Sequence, residues 1–157
     1  MTSDRLATIV NFVEITDDLG TGGQPTSAQF SLVSAAGYRV VINLGMSDAQ
    51  LAVAEEDALV TGLGMVYVHL AIPWEAPTRA HAHLFFDLMR SFEGQKVFVH
   101  CIKNMRVSAL VFAYQVCHQA VSISDAGASL HQVWRPHGIW RNLLIELLAE
   151  HGFVYPW

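Results

Sequence analysis

The chain has 157 residues, 52% hydrophobic and only 15% charged; the length fits one domain of the usual ~100–200 residues, and the composition is too apolar to stay disordered. Nine Lys and Arg against fourteen Asp and Glu leave a net charge of -5, which argues against any broad electrostatic hold on nucleic acid or an anionic membrane. A single local cationic pocket remains compatible with it.

In chain order, Ala7–Glu14 reads as a first extended segment leading into the turn Gly20-Thr21-Gly22-Gly23-Gln24-Pro25, whose glycines suit tight or positive-φ geometry. Thr26 with Gln29 then forms a capping box, Phe30, Val33 and Ser34 share a helical face, and Gly37 stops the helix. Tyr38–Leu44 is a short β-branched run of the kind buried on both faces of a parallel sheet. Asp48 reads as the N-cap of a helix over Ala49–Gly62, with Leu51, Ala54, Ala58 and Leu59 inward and Glu55, Glu56 and Asp57 exposed. A strand over Met65–Ile72 follows.

Thr78 opens the next helix, striped by Leu84, Phe85, Leu88 and Met89 and closed by Gly94, and Lys96–His100 is a further buried strand. The segment after Met105 is helical, with Ala109, Phe112, Ala113 and Val116 on one side. Two more helices, near Ser124–Trp134 and Pro136–His151, complete the chain. Strands alternating with helices, and no hairpin signal between them, predict a three-layer α/β sandwich with a mainly parallel central sheet flanked by helices. Residues 1–157 read as one domain. In such sheets the ligand site lies beyond the carboxyl ends of the strands, which selects the loops after Leu44, Ile72 and His100.

Cys101 and Cys117 are too few to staple a secreted mini-fold and read as free thiols. The longest apolar stretches fall far short of the ~20 residues of a spanning helix, and the Met-Thr-Ser-Asp-Arg-Leu-Ala start lacks a secretory pattern, so a cytoplasmic location is expected. His81 and His83 point to different faces of a helix and the other histidines form no ligand spacing, so no metal site and no cofactor are expected. Trp134, Trp140 and Trp157 read as packing residues.

The third loop carries the chemistry: Val99-His100-Cys101-Ile102-Lys103-Asn104-Met105-Arg106-Val107-Ser108. It places a cysteine where a buried strand stops, then a short polar loop, then a helix start. Amide N–H groups of Ile102 to Arg106 and the helix dipole converge there into an anion nest. The same field favours thiolate over thiol, which makes Cys101 a candidate nucleophile, and the fork of Arg106 can hold two oxygens of a tetrahedral anion. Lys103 adds a cation to the loop. His100 is placed to tune Cys101 by a hydrogen bond. A hydrolase of this type needs an acid for the leaving oxygen. Glu75, in Ile72-Pro73-Trp74-Glu75-Ala76-Pro77 at the same sheet edge, is the candidate, with Asp48 second.

The run V-F-V-H-C-I-K-N-M-R-V-S resembles the phosphate-binding loop of the protein tyrosine phosphatase superfamily. The blocks G-T-G-G-Q-P-T-S-A-Q-F, A-G-Y-R-V-V-I-N-L and G-L-G-M-V-Y-V-H-L-A-I-P resemble the bacterial phosphatase-like domain of beta-lactamase-hydrolase-like proteins, over about Gly20–Tyr114. The resemblance implies a cysteine-phosphatase-like fold and hydrolysis of a phosphate monoester on a small molecule or protein. It further implies Cys101 forming a phosphocysteine, Arg106 clamping the phosphoryl oxygens and Ser108 assisting the thiolate. The usual loop of that superfamily has five residues between Cys and Arg; here there are four, Ile102, Lys103, Asn104 and Met105. Arg106 therefore sits one position early, while Ser108 keeps its usual distance. The loop glycine is also replaced, with Asn104 the residue most tolerant of a left-handed conformation. A six-residue loop is also that of rhodanese-type sulfurtransferases, which leaves sulfur transfer through a Cys101 persulfide, or a non-catalytic phosphate-binding module, as alternatives.

Overall fold

The computed structural model describes residues 5–157, so the first residues of the Met1–Ala7 start lie outside the described part. It contains strands β1 (Val13–Thr16), β2 (Leu19–Gly22), β3 (Val40–Asn43), β4 (Val66–His69) and β5 (Val97–His100) in one sheet of order β1-β2-β5-β3-β4. The β2, β5, β3 and β4 strands run parallel, and β1 pairs antiparallel with β2. Among the elements bounded within the described residues, the helices α1 (Ser27–Ala35), α2 (Glu56–Gly62), α3 (Arg79–Ser91), α4 (Met105–His118), α5 (Ile123–His131) and α6 (Gly138–Ala149) flank the sheet.

Alternation along the strands sorts the core into two layers. Val40, Ile42, Val97 and Val99 face a layer that includes Phe85, Phe86 and Met89 of α3, most of α4, and Leu144 and Leu148 of α6. Val41 and Phe98 face the opposite layer, with Phe30 and Val33 of α1 and Val60 of α2. The three-layer α/β expectation therefore holds, and α4 is its central helix, buried from Arg106 to Val116.

Local signals held where the chemistry was local. Thr26 and Gln29 form the capping box, with Thr26 Oγ1 accepting from the Gln29 amide at 3.2 Å and Gln29 Oε1 accepting from the Thr26 amide at 2.9 Å. Gly37 follows that helix at φ +93°. Thr78 caps α3 through the same reciprocal pattern, with His81 Nδ1 in the place of a Glu or Gln side chain, 3.1 Å from the Thr78 amide.

Four expectations are corrected. Only Val13 and Glu14 of the Ala7–Glu14 segment are strand, in a β1 that runs on to Thr16, and Gly20 and Gly22 lie within β2, which forms a hairpin with β1 through Asp17-Asp18. Gly20 is there because a side chain would run into the Tyr38 hydroxyl, 2.3 Å from an added Cβ. The helix expected from Ala49 begins only at Glu56, because Glu55 takes the left-handed conformation at φ +54°; Asp48 lies in an exposed turn and caps nothing. Leu51, expected inward, is 58% exposed, and Glu56, expected outward, is 6% exposed. In α3 the buried stripe is Ala82, Phe85, Phe86 and Met89, while Leu84 faces solvent.

No helix among the described residues is long and apolar enough to cross a membrane. Both cysteines are free thiols. Cys117 is half-buried with its Sγ 3.7 Å from the Leu147 carbonyl, and burial, aided by Glu150, pushes its thiol up to about 11.

Candidate active site

β5 is flanked on both sides by parallel neighbours, so its carboxyl end lies near the middle of the sheet edge. Cys101 follows it directly, its amide donating to the Gly22 carbonyl at 3.3 Å. The chain then turns through Ile102 and Lys103 into α4. Asn104 makes that turn at φ +65° and ψ 6°, the left-handed role expected for it. Its Nδ2 donates to the Asn11 carbonyl at 2.8 Å and to Thr21 Oγ1 at 3.1 Å, and Asn11 Nδ2 donates back to the Lys103 carbonyl at 3.0 Å. These bonds replace the freedom of a glycine with side-chain anchoring.

The first intrahelical bond of α4 runs from the Ser108 amide to the Asn104 carbonyl at 2.9 Å. The amides of Met105, Arg106 and Val107 thus fall in the helix turn that has no intrahelical acceptor, the arrangement that attracts anions. The strand preceding α1 braces the other side of the loop: the Gln24 amide donates to the Ile102 carbonyl at 2.9 Å. Gly23 permits this approach, since an added Cβ would lie 2.5 Å from that same carbonyl oxygen.

Cys101, Ile102, Lys103, Met105, Arg106 and Trp74 line one cavity of about 320 Å³. Cys101 is 1% exposed and so presents only an edge to the cavity. Arg106 is buried, and its Nη1 donates to the Ile72 carbonyl at 2.8 Å, which fixes its head across the loop from the sulfur's strand. Lys103 is exposed at the rim. Glu75 is exposed in the turn after β4, next in sequence to Trp74, and does not line the cavity.

Ser108 is not gathered with these groups. Its hydroxyl donates to the Met105 carbonyl at 3.2 Å and accepts from Trp134 Nε1 at 3.1 Å, beside a small separate crevice. Sequence reasoning also missed Trp74. That side chain walls the cavity and packs against Trp134 and Trp140, each with ring centroids 5.5 Å away, and Trp140 Nε1 bonds the Trp74 carbonyl at 3.0 Å. Trp134 and Trp140, two of the three tryptophans expected to be packing residues, do pack, and what they pack is the wall of the site.

A polar network lies behind the loop. His100, fully buried, has Nδ1 2.9 Å from the Cys101 carbonyl and Nε2 2.8 Å from Glu56 Oε2. Glu56 also accepts from Gln24 Nε2 at 2.7 Å and from the Tyr67 hydroxyl at 2.9 Å. Burial alone would raise the Glu56 carboxyl, but the bonds and charge of His100, with those of Gln24 and Tyr67, hold it below the usual range. Beside the same carboxylate, burial keeps the Tyr67 hydroxyl protonated well above its ordinary range.

The comparisons with known proteins meet this geometry. The family described as "DSP-PTPase phosphatase fused to NAD+ Kinase" matches residues 13–137. The chain belongs to this DSP-PTPase family. A protein from Shewanella putrefaciens CN-32, described as a candidate phosphatase (DUF442), is 32% identical over 96% of this chain and 99% of its own, with a TM-score of 0.85. Tk-PTP in its active form matches at 19% identity over 89% of this chain and 95% of its own, TM-score 0.70. TpbA of P. aeruginosa, solved in complex with pTyr, matches at 13% identity over 79% of this chain and 72% of its own, TM-score 0.63. Among curated proteins none matches. The expected cysteine-phosphatase-like fold is thereby established, and the loop from Cys101 to Arg106 is the part of this DSP-PTPase chain that departs from the usual superfamily spacing.

Proposed function

We propose that this phosphatase acts as a cysteine-dependent phosphoric monoester hydrolase centred on Cys101. The supporting observation is the one cavity that Cys101 and Arg106 share at the amino end of α4, beside amides that have no acceptor in their helix. Cys101 Sγ attacks phosphorus in line, the bond from phosphorus to the ester oxygen breaks, and that oxygen leaves with a proton from Glu75. Water, giving its proton back to the Glu75 carboxylate, then attacks phosphorus, the phosphorus–sulfur bond breaks, and the thiolate and inorganic phosphate are released. Arg106 and the amides of Ile102 to Met105 hold the three equatorial oxygens, whose charge is spread in the transition state. Neither a metal nor an organic cofactor enters these steps.

Glu75, exposed and next in sequence to the Trp74 that walls the cavity, is the acid we assign to the leaving group. Trp74, Ile102 and Met105 make the walls apolar, which suits an aryl phosphate, the chemistry of the pTyr bound by P. aeruginosa TpbA. We read Ser108 as holding Trp134, and through it the Trp74 wall, in place of assisting the thiolate. The partner is a phosphorylated small molecule or protein. The residues 1–157 act as one such domain, in the cytoplasm.

The test is hydrolysis of p-nitrophenyl phosphate by the wild type, Cys101→Ser and Arg106→Lys. The proposal expects turnover by the wild type, none by C101S, and a loss of roughly 10²-fold or more in kcat for R106K, since a point charge cannot reproduce the bidentate fork. Equal rates for wild type and C101S, or no wild-type turnover between pH 4 and 9, reject it. The four-residue spacing between Cys101 and Arg106 favours a second reading, sulfur transfer through a Cys101 persulfide. Thiocyanate formation from thiosulfate and cyanide, absent in C101S, would support that reading, and silence would exclude it.

A further inference from the structure

We propose that Glu56 is a positioning residue for Cys101: by holding a second proton on the His100 ring, it directs a positive charge at the nucleophile's own peptide. This rests on the reading of Cys101 as the nucleophile.

His100 Nδ1 faces the Cys101 carbonyl, which can only accept a hydrogen bond. Nε2 faces Glu56 Oε2, and the ionised carboxylate can also only accept. Two donors independent of His100 already point at it, Gln24 Nε2 on Oε1 and the Tyr67 hydroxyl on Oε2, so the carboxylate is the form the pocket solvates. A ring with an acceptor at each nitrogen carries both protons, so the pair is an imidazolium and a carboxylate. The Phe30 and Phe98 rings surround His100, at centroid distances of 5.7 and 6.4 Å, and keep it out of water.

Direction decides the effect. His100 and Cys101 lie on opposite faces of the sheet by strand alternation, and Nδ1–H lies against the peptide that carries the sulfur. The cationic end of the pair is thus next to Cys101 and the anionic end points away, into α2. The other charges facing the thiol are Arg106 and Lys103 in its own cavity. Those nearest Glu56 are its chain neighbours Glu55 and Asp57, which share with it a separate crevice lined also by Asn43, Tyr67 and His69. The sign of the outcome is not that of simple Coulomb repulsion. Removing a negative charge would by itself favour the thiolate, but removing Glu56 also removes the counter-charge of His100, which then sheds its Nε2 proton.

Glu56→Gln separates the two accounts. A glutamine amide can donate to a neutral His100 Nε2 while Nδ1–H keeps its bond to Cys101, at the cost of the acceptor the Tyr67 hydroxyl has in Glu56 Oε2, so Tyr67→Phe, which loses that bond and keeps the charge, is measured beside it and should leave the midpoint in place. The measurement is the rate of iodoacetamide alkylation of Cys101 against pH in the full chain, with Cys117 as the unreactive internal control. E56Q should move the midpoint up by about one pH unit, a tenfold loss of thiolate below the midpoint, and Glu56→Asp should restore part of it. A midpoint unchanged or moved down overturns the proposal. An independent readout needs no variant: ¹⁵N spectra of wild-type His100 at pH 7 should show both ring nitrogens protonated, and one bare nitrogen refutes it. Neither readout needs phosphate turnover. A failed hydrolysis assay with the expected alkylation shift therefore sinks the phosphatase reading alone, and the reverse pattern sinks only this one.

Discussion

Asn104 is the position where loop geometry can be tested most quantitatively. It holds φ +65° without glycine's freedom, compensated by bonds to the Asn11 carbonyl and Thr21 Oγ1. Asn104→Ala keeps the strained conformation and loses both bonds. Each bond contributes about 1 kcal/mol, and a left-handed alanine costs about 1–2 kcal/mol, so the sum is about 3–4 kcal/mol. Asn104→Gly loses the same bonds but not the backbone relief, less about 0.5–1 kcal/mol for the extra freedom of the unfolded chain. The glycine variant should therefore lie between wild type and alanine, above alanine by roughly 1 kcal/mol. Asn104→Asp should be at least as harmful as alanine, because a buried carboxylate would face the Asn11 carbonyl with no proton to offer it. Urea unfolding at pH 7 measures all three, with m-values checked for constancy. An alanine variant as stable as the glycine variant would refute the claim that the side-chain bonds hold a strained turn.

Two further outcomes follow from the same contacts. Gly23→Ala places a Cβ against the Ile102 carbonyl oxygen, so the loop must shift; hydrolysis of p-nitrophenyl phosphate should fall at least tenfold while the thermal midpoint drops only a few degrees, and retained activity would show that Gly23 is not needed for the approach. Glu56, held below its ordinary value of 4.5 in the fold, stabilises the protein at pH values above its unfolded value and loses that contribution as pH falls through the lower folded one. Acid unfolding of wild type should therefore steepen below about pH 4.5 and that of E56Q should be flatter there; parallel curves would contradict the pairing with His100.

The parts of this fold that were legible in the sequence are those set by neighbours along the chain. Thr26 and Gln29, Thr78, Gly37, and the buried runs of β3 and β5 need only local chemistry to be read. The cysteine loop was legible for the same reason, and Asn104 was identified as its left-handed residue because few side chains tolerate that conformation. What failed depended on distant partners. Glu56 looks like the exposed face of an amphipathic helix until Gln24, Tyr67 and His100, from three other segments, close around it. Leu51 failed with it, because the left-handed Glu55 cancels the helix that would have turned Leu51 inward. The hairpin of β1 and β2 was hidden because its Asp17-Asp18 turn carries none of the Gly or Asn-Gly pairs that mark tight hairpins. Trp74 could have been suspected from its place in the loop after Ile72; only the stacking of Trp134 and Trp140 on it gives it a fixed place in the wall.

Rapid mixing with an aryl phosphate at acid pH, followed by quench and mass analysis of the peptide containing Cys101, tests the central claim most directly. The account predicts a transient phosphoryl adduct on that sulfur, formed before product release reaches its steady rate and absent when position 101 is serine or when substrate is omitted. Steady hydrolysis with no adduct on Cys101 at any time, or an adduct on another side chain, would contradict it.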